Sequence, residues 1–214
     1  RPLWLMCLLL VSACSTDEAT TTEPENIVQL KCRDMSALDN FKNGDIIIRR
    51  GSGMISDKIM ENLDEEIPLS HMGLIAEHDG QMMVAQSATR DDSIYTNDLH
   101  YATIQRFVEG AQDCFCYSVR YQPNGEYEPE VGQQIAAEAD RMIQKGALFD
   151  FGFDMSEQKH IHCTEFIWLA YTRALNEDFF PRTTFIRGKE TIPLNFFLSD
   201  ARYKTVYTPE DFGK

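Results

Sequence analysis

The feature that most constrains this chain is a pair of apolar runs joined by Asp-Gly. Leu69-Ser70-His71-Met72-Gly73-Leu74-Ile75-Ala76-Glu77 leads into His78-Asp79-Gly80, and Gln81-Met82-Met83-Val84-Ala85-Gln86-Ser87 follows. Asp-Gly suits the two left-handed positions of a tight hairpin turn, so the runs read as paired antiparallel strands. With Asp79 and Gly80 as the two turn residues, His71 pairs with Ala88 and Gly73 with Gln86. Side chains two apart on a strand face the same way. His71 and Gln86 then become diagonal neighbours on one face, roughly 7–8 Å apart and within reach of polar side chains.

A second stretch asks for that histidine. His162-Cys163-Thr164-Glu165-Phe166-Ile167-Trp168-Leu169-Ala170-Tyr171 reads as the start of a buried helix, with apolar residues at helical spacing. Thr164 and Glu165 suit a first turn. Cys163 therefore sits where free backbone N–H groups and the positive end of the helix dipole favour a thiolate, the nucleophilic form. Glu165 opposes this if its carboxylate lies near the sulfur. As a triad, Cys163 would be the nucleophile, His71 the base and Gln86 the residue that holds the imidazole N–H, since a Cys–His–amide set is a working variant. The alternative is a structural cysteine and a satisfied core histidine.

The remaining chain mixes strands and helices without regular βαβ alternation, which points to an α+β fold. Gly44 to Arg49 reads as a turn into a strand. Met54 to Leu63 reads as a helix, as does Pro129 to Lys145 with Gly146 as its stop. Leu148-Phe149-Asp150-Phe151-Gly152-Phe153 precedes the Cys163 helix, and Tyr203 to Tyr207 reads as a last strand.

At the other end lie Arg1, a short apolar run from Leu3 to Val11, and Ser12-Ala13-Cys14. The run is far below the ~20 residues that span a bilayer. It reads as a secretory signal over residues 1–13. Val11-Ser12-Ala13-Cys14 resembles the bacterial lipobox, which implies lipidation of Cys14 and a stable membrane anchor. Residues 14–26 are polar and acidic and read as a flexible tether. Asp17-Glu18 resembles the export signal of surface lipoproteins. The expected address is the bacterial cell envelope, at the outer membrane or its periplasmic face. Residues 27–214 then form one domain.

The chain carries 20 Lys and Arg against 34 Asp and Glu. With no basic stripe, this speaks against nucleic acid as a partner. Of its six cysteines, Cys7 lies in the signal and Cys14 in the lipobox. Cys114-Phe115-Cys116 reads as strand, so its two cysteines share a face, and Cys32 can bridge to either. Paired CxxC knuckles and HExxH are absent, and His160-Ile161-His162 alone makes a poor chelate, so no metal or cofactor is expected.

In order along the chain, Gly44-Asp45-Ile46-Ile47, Ser70-His71-Met72-Gly73-Leu74-Ile75, Val84-Ala85-Gln86-Ser87, Phe149-Asp150 and His162-Cys163-Thr164-Glu165-Phe166 resemble YiiX-like proteins. These are the circularly permuted branch of the NlpC-type papain-fold cysteine hydrolases, related to the lecithin retinol acyltransferase group. The resemblance implies a mostly antiparallel sheet packed against helices, with the nucleophile at a helix N-terminus. It implies Cys163, His71 and Gln86 in the roles given above. Many such relatives carry Glu where this chain has Gln86. Asp150 and Glu165 match family positions to which no role is assigned. The implied activity is that of a thiol protease or amidase working through a thioester, with a peptide or peptidoglycan stem as substrate. Two alternatives are an acyltransferase or lipase-like enzyme on membrane lipids, and a non-catalytic binding module of the envelope.

Overall fold

The computed structural model describes residues 32–89 and 98–213. The signal segment, Cys14 and the tether lie outside the described residues. An eight-stranded sheet runs in the order β10-β5-β1-β2-β3-β4-β6-β7. Its strands are β1 (Ile46–Gly51), β2 (His71–His78), β3 (Gln81–Ala88), β4 (Asp98–Thr103), β5 (Ala111–Tyr121), β6 (Leu148–Phe149), β7 (His160–Ile161) and β10 (Tyr203–Tyr207). All neighbours are antiparallel except β6 and β7. A small pair, β8 (Thr183–Thr184) and β9 (Glu190–Thr191), stands apart. The expected α+β class and largely antiparallel sheet are what the chain adopts.

The central strands are covered on both faces, which explains the unbroken Ile46-Ile47-Ile48 run in place of apolar–polar alternation. Ile46 and Ile48 join the core under α3 (Pro129–Gln144) and α4 (Cys163–Leu175). Ile47 turns the other way, towards Phe107 of α2 (Ile104–Glu109) and Phe212 of α6 (Pro209–Phe212). Two further helices are α1 (Met54–Leu63) and α5 (Phe196–Ser199). None of the described helices is long and apolar enough to cross a membrane.

The hairpin forms as the sequence reads. Asp79 has φ 50° and Gly80 φ 75°, and Leu74 pairs with Ala85. That is the register which puts Gly73 opposite Gln86. The residue pair Gly44-Asp45 is part of the scaffold. Asp45 is fully buried and takes two 2.8 Å bonds from Arg120, tying the start of β1 to β5. Tyr171 of α4 donates to the Gly44 carbonyl at 2.7 Å, locking that helix to the same turn.

The open cysteine question resolves as Cys32–Cys114, with Cys116 free and buried. Cys114 and its neighbour Asp113 have positive φ, where β5 slips out of register with β1. Cys116 lies in the regular ladder opposite Arg49. Both cysteines pack into the same apolar cluster, as a shared face requires.

Candidate active site

Antiparallel pairing brings the start of β2, the end of β3, the start of β4 and the end of β1 to one end of the sheet. The start of α4 meets them there. The result is a cleft of about 130 Å³ whose walls include Arg49, Ser70, His71, Ala88, Phe149 and Cys163. His71 and Cys163, far apart in sequence, thus face one cavity.

The strand side is a chain of hydrogen bonds. His71 Nε2 lies 2.8 Å from Gln86 Oε1. The Gln86 Nε2 atom lies 3.2 Å from His100 Nε2. His100 Nδ1 in turn faces Asp98, at 3.3 Å from Oδ1 and 3.2 Å from the main-chain oxygen. Gln86 and His100 are directly opposite in the β3–β4 ladder, which is why they meet. His71 also stacks on Phe107, with ring centroids 5.5 Å apart. Arg49 pairs in register with His71, lies over the same Phe107 ring and donates to the Phe107 carbonyl at 2.7 Å.

The helix side is built differently. His162 is the N-cap of α4. Its Nδ1 accepts from the Glu165 N–H at a long 3.5 Å and lies 3.0 Å from Thr164 Oγ1. Cys163 is the first helical residue and is 5% exposed. Main-chain N–H groups of Met72, Thr164 and Cys163 itself approach the sulfur, and Arg49 adds a favourable charge. The expectation of a depressed thiol pKa nevertheless fails. Burial outweighs these groups and pushes the thiol up to about 11. The helix dipole is visible in the local sequence, whereas the desolvation arises only from tertiary burial.

The other polar groups of this turn are also dry. His162 is held neutral by burial, its pKa down to about 3, and its Nε2 makes no hydrogen bond. Glu165 is fully buried and pushed up to about 8. The His162 main-chain N–H eases it slightly, but neither carboxyl oxygen finds a hydrogen bond of ordinary geometry. Glu165 is therefore largely neutral at pH 7, so it is not the opposing charge feared from the sequence. Asp150 takes main-chain N–H bonds from Gly152 and Asp154 and shapes the loop before α4. His160 pairs with the exposed Glu157, away from buried His162, so the two histidines do not act together.

Sequence reasoning missed Arg49, His100 and Asp98. An available signal was the alternation in Leu99-His100-Tyr101-Ala102, which marks a half-buried strand beside β3. Among the described residues, no group of three or more His, Cys, Asp or Glu side chains is arranged to hold a metal ion.

Fold and cleft together define an α+β protein with a thiol, an imidazole and a carboxamide gathered at one sheet end. No known family profile matches the chain, and no curated protein sequence matches it. Solved structures do: YiiX from Escherichia coli O157:H7, described as a metalloprotein with the family label DUF1105, shares 16% identity at a TM-score of 0.63. The alignment covers 78% of this chain and 97% of that one. The chain thus has a YiiX-like fold.

Proposed function

We propose that the protein is a thiol hydrolase of the circularly permuted papain-like, NlpC-type kind, cleaving an amide through a thioester on Cys163. The observation that supports this most is the shared cleft, which Cys163 and His71 both line, with the His71 Nε2 held by Gln86. Because the thiol rests protonated, proton transfer accompanies attack. Sγ bonds to the substrate carbonyl carbon while the thiol proton passes to His71. The main-chain N–H groups of Met72 and Cys163, which act on the sulfur, are the donors proposed to receive the developing oxyanion. His71 then protonates the departing amine, and water, deprotonated by His71, hydrolyses the thioester.

The YiiX structure is described as a metalloprotein. Among the described residues no three His, Cys, Asp or Glu side chains gather to hold an ion, so each step here is written for this chain's own groups. On the sequence alone the favoured substrate is a short peptide or peptidoglycan stem. Placement in the cell envelope on a lipid-modified Cys14 belongs to the same reading. It rests on Val11-Ser12-Ala13-Cys14.

One observation favours the acyltransferase reading. Ile55 and Ile59 wall both the Cys163 cleft and a neighbouring pocket formed with Phe151, Phe153, Ile186, Lys58 and Arg187. Met54 and Phe151 are exposed beside it. Such a surface suits an acyl chain. The deciding experiment is intact-mass analysis of the purified chain after incubation with cell-wall fragments, peptides and phospholipids. Adducts at Cys163 from peptides or cell-wall fragments support the hydrolase. Adducts from phospholipid alone transfer the assignment to acyl transfer, and adducts from none leave a binding module.

A further inference from the structure

We propose that His100, held by Asp98, is a positioning residue that selects the orientation of the Gln86 amide and thereby the tautomer of His71. The inference rests on the proposed role of His71 as base and deepens it.

A carboxylate in place of Gln86 would accept a hydrogen bond through either oxygen. A carboxamide has one accepting and one donating end of nearly equal size, so its neighbours must choose between them. Here Oε1 is 2.8 Å from His71 Nε2 and Nε2 is 3.2 Å from His100 Nε2. For the amide N–H to be accepted, His100 Nε2 must carry the lone pair, so its proton lies on Nδ1. Two acceptors of Asp98 wait there, at 3.2 and 3.3 Å.

Every donor in this order meets an acceptor. His100 Nδ1–H points to Asp98, Gln86 N–H to His100 Nε2, and His71 Nε2–H to Gln86 Oε1. The lone pair of His71 is then on Nδ1, the nitrogen that the proposed role as base requires to be unprotonated. With His100 neutral and Asp98 beside its Nδ1, the opposite amide orientation is disfavoured at two points. It calls for a proton on His100 Nε2, which turns a bare Nδ1 towards the Asp98 oxygens. It also places an N–H against His71 Nε2, moving the His71 proton to Nδ1 and leaving no lone pair there. A half-turn of one buried side chain, 2% exposed, would thus disable the base.

The test is the tautomer of each ring, read by long-range ¹H–¹⁵N correlation on the full chain at neutral pH. Wild type should show His71 protonated on Nε2 and His100 on Nδ1. The His100→Phe variant keeps a ring of similar size and removes the acceptor. It should move His71 towards the Nδ1–H form and slow iodoacetamide labelling of Cys163 roughly two- to tenfold, the weight of one ordinary hydrogen bond. Adding Gln86→Glu to His100→Phe should restore both readouts, because a carboxylate needs no orienting. A purely structural role for His100 would not be rescued this way. The inference is overturned if wild-type His71 carries its proton on Nδ1 or His100 carries one on Nε2, and these readings need no variant to fold. An unmoved His71 tautomer in His100→Phe overturns it equally. The tautomers are readable whether or not any substrate acylates Cys163, so failure of the hydrolase reading would be seen separately.

Discussion

The two sides of the cleft hold their polar groups by opposite physical means. On the strand side, His71, Gln86, His100 and Asp98 form a sequence of hydrogen bonds in which each polar group has a counterpart. On the helix side, Cys163, His162 and Glu165 are stripped of water, and desolvation holds all three uncharged. In the proposed mechanism this difference is a division of labour. A base must present a lone pair in a set direction, which a fixed network supplies. A buried thiol stays protonated and unreactive until a base and a substrate are both beside it.

The sharpest way to break this comparison is to remove one partner from each side. Cys163→Ala should abolish covalent adducts, and His71→Ala should lower the acylation rate about 10²–10⁴-fold. Mass spectrometry and stopped-flow kinetics read these losses. Should His71→Ala acylate at the wild-type rate, the strand network serves structure alone.

Thiol reactivity against pH comes next. With the pKa near 11, labelling of Cys163 by iodoacetamide in His71→Ala should climb about tenfold per pH unit from neutrality towards pH 10. A plateau reached by pH 7 would mean that the helix N-terminus and Arg49 overcome desolvation, and the contrast between the two sides would collapse.

Gln86→Ala should cost about tenfold in turnover, much less than either first variant, because in the proposed roles Gln86 orients the base and takes no proton. A loss as large as that of His71→Ala would give the amide a more direct part.

The smallest effect is on stability. Glu165 is pushed from an ordinary 4.5 to about 8 in the folded chain, so the folded state holds a proton that the unfolded chain releases. Its favourable contribution is complete below pH 4.5 and disappears as pH rises towards 8. His162 acts in the opposite sense. Its pKa falls from 6.5 to about 3, so its contribution is complete above pH 6.5 and disappears as pH falls towards 3. Glu165→Gln should therefore flatten the decline of Tm between pH 6.5 and 8, where His162 no longer contributes a slope. Thermal unfolding at several pH values checks this, and an unchanged decline would show that Glu165 reaches water.

What the sequence determined is what neighbours in the chain can enforce. Asp79-Gly80 set the hairpin turn and with it the diagonal placement of His71 and Gln86, because strand register follows from a two-residue loop. Helical periodicity marked α3 and α4, and the start of α4 fell at Cys163, because capping is local. The tertiary structure alone decided the rest. The choice of Cys114 over Cys116 for the bridge to Cys32 hangs on a bulge in β5 and on where residue 32 lies, neither of which is a short-range property. His100, with Asp98 beside it, reaches Gln86 only through a third strand that begins ten residues after β3 ends. The thiol's high pKa was likewise out of reach, since dipole and first-turn residues can be read from neighbours whereas burial is the sum of contacts from β2, α4 and the elements packed over them.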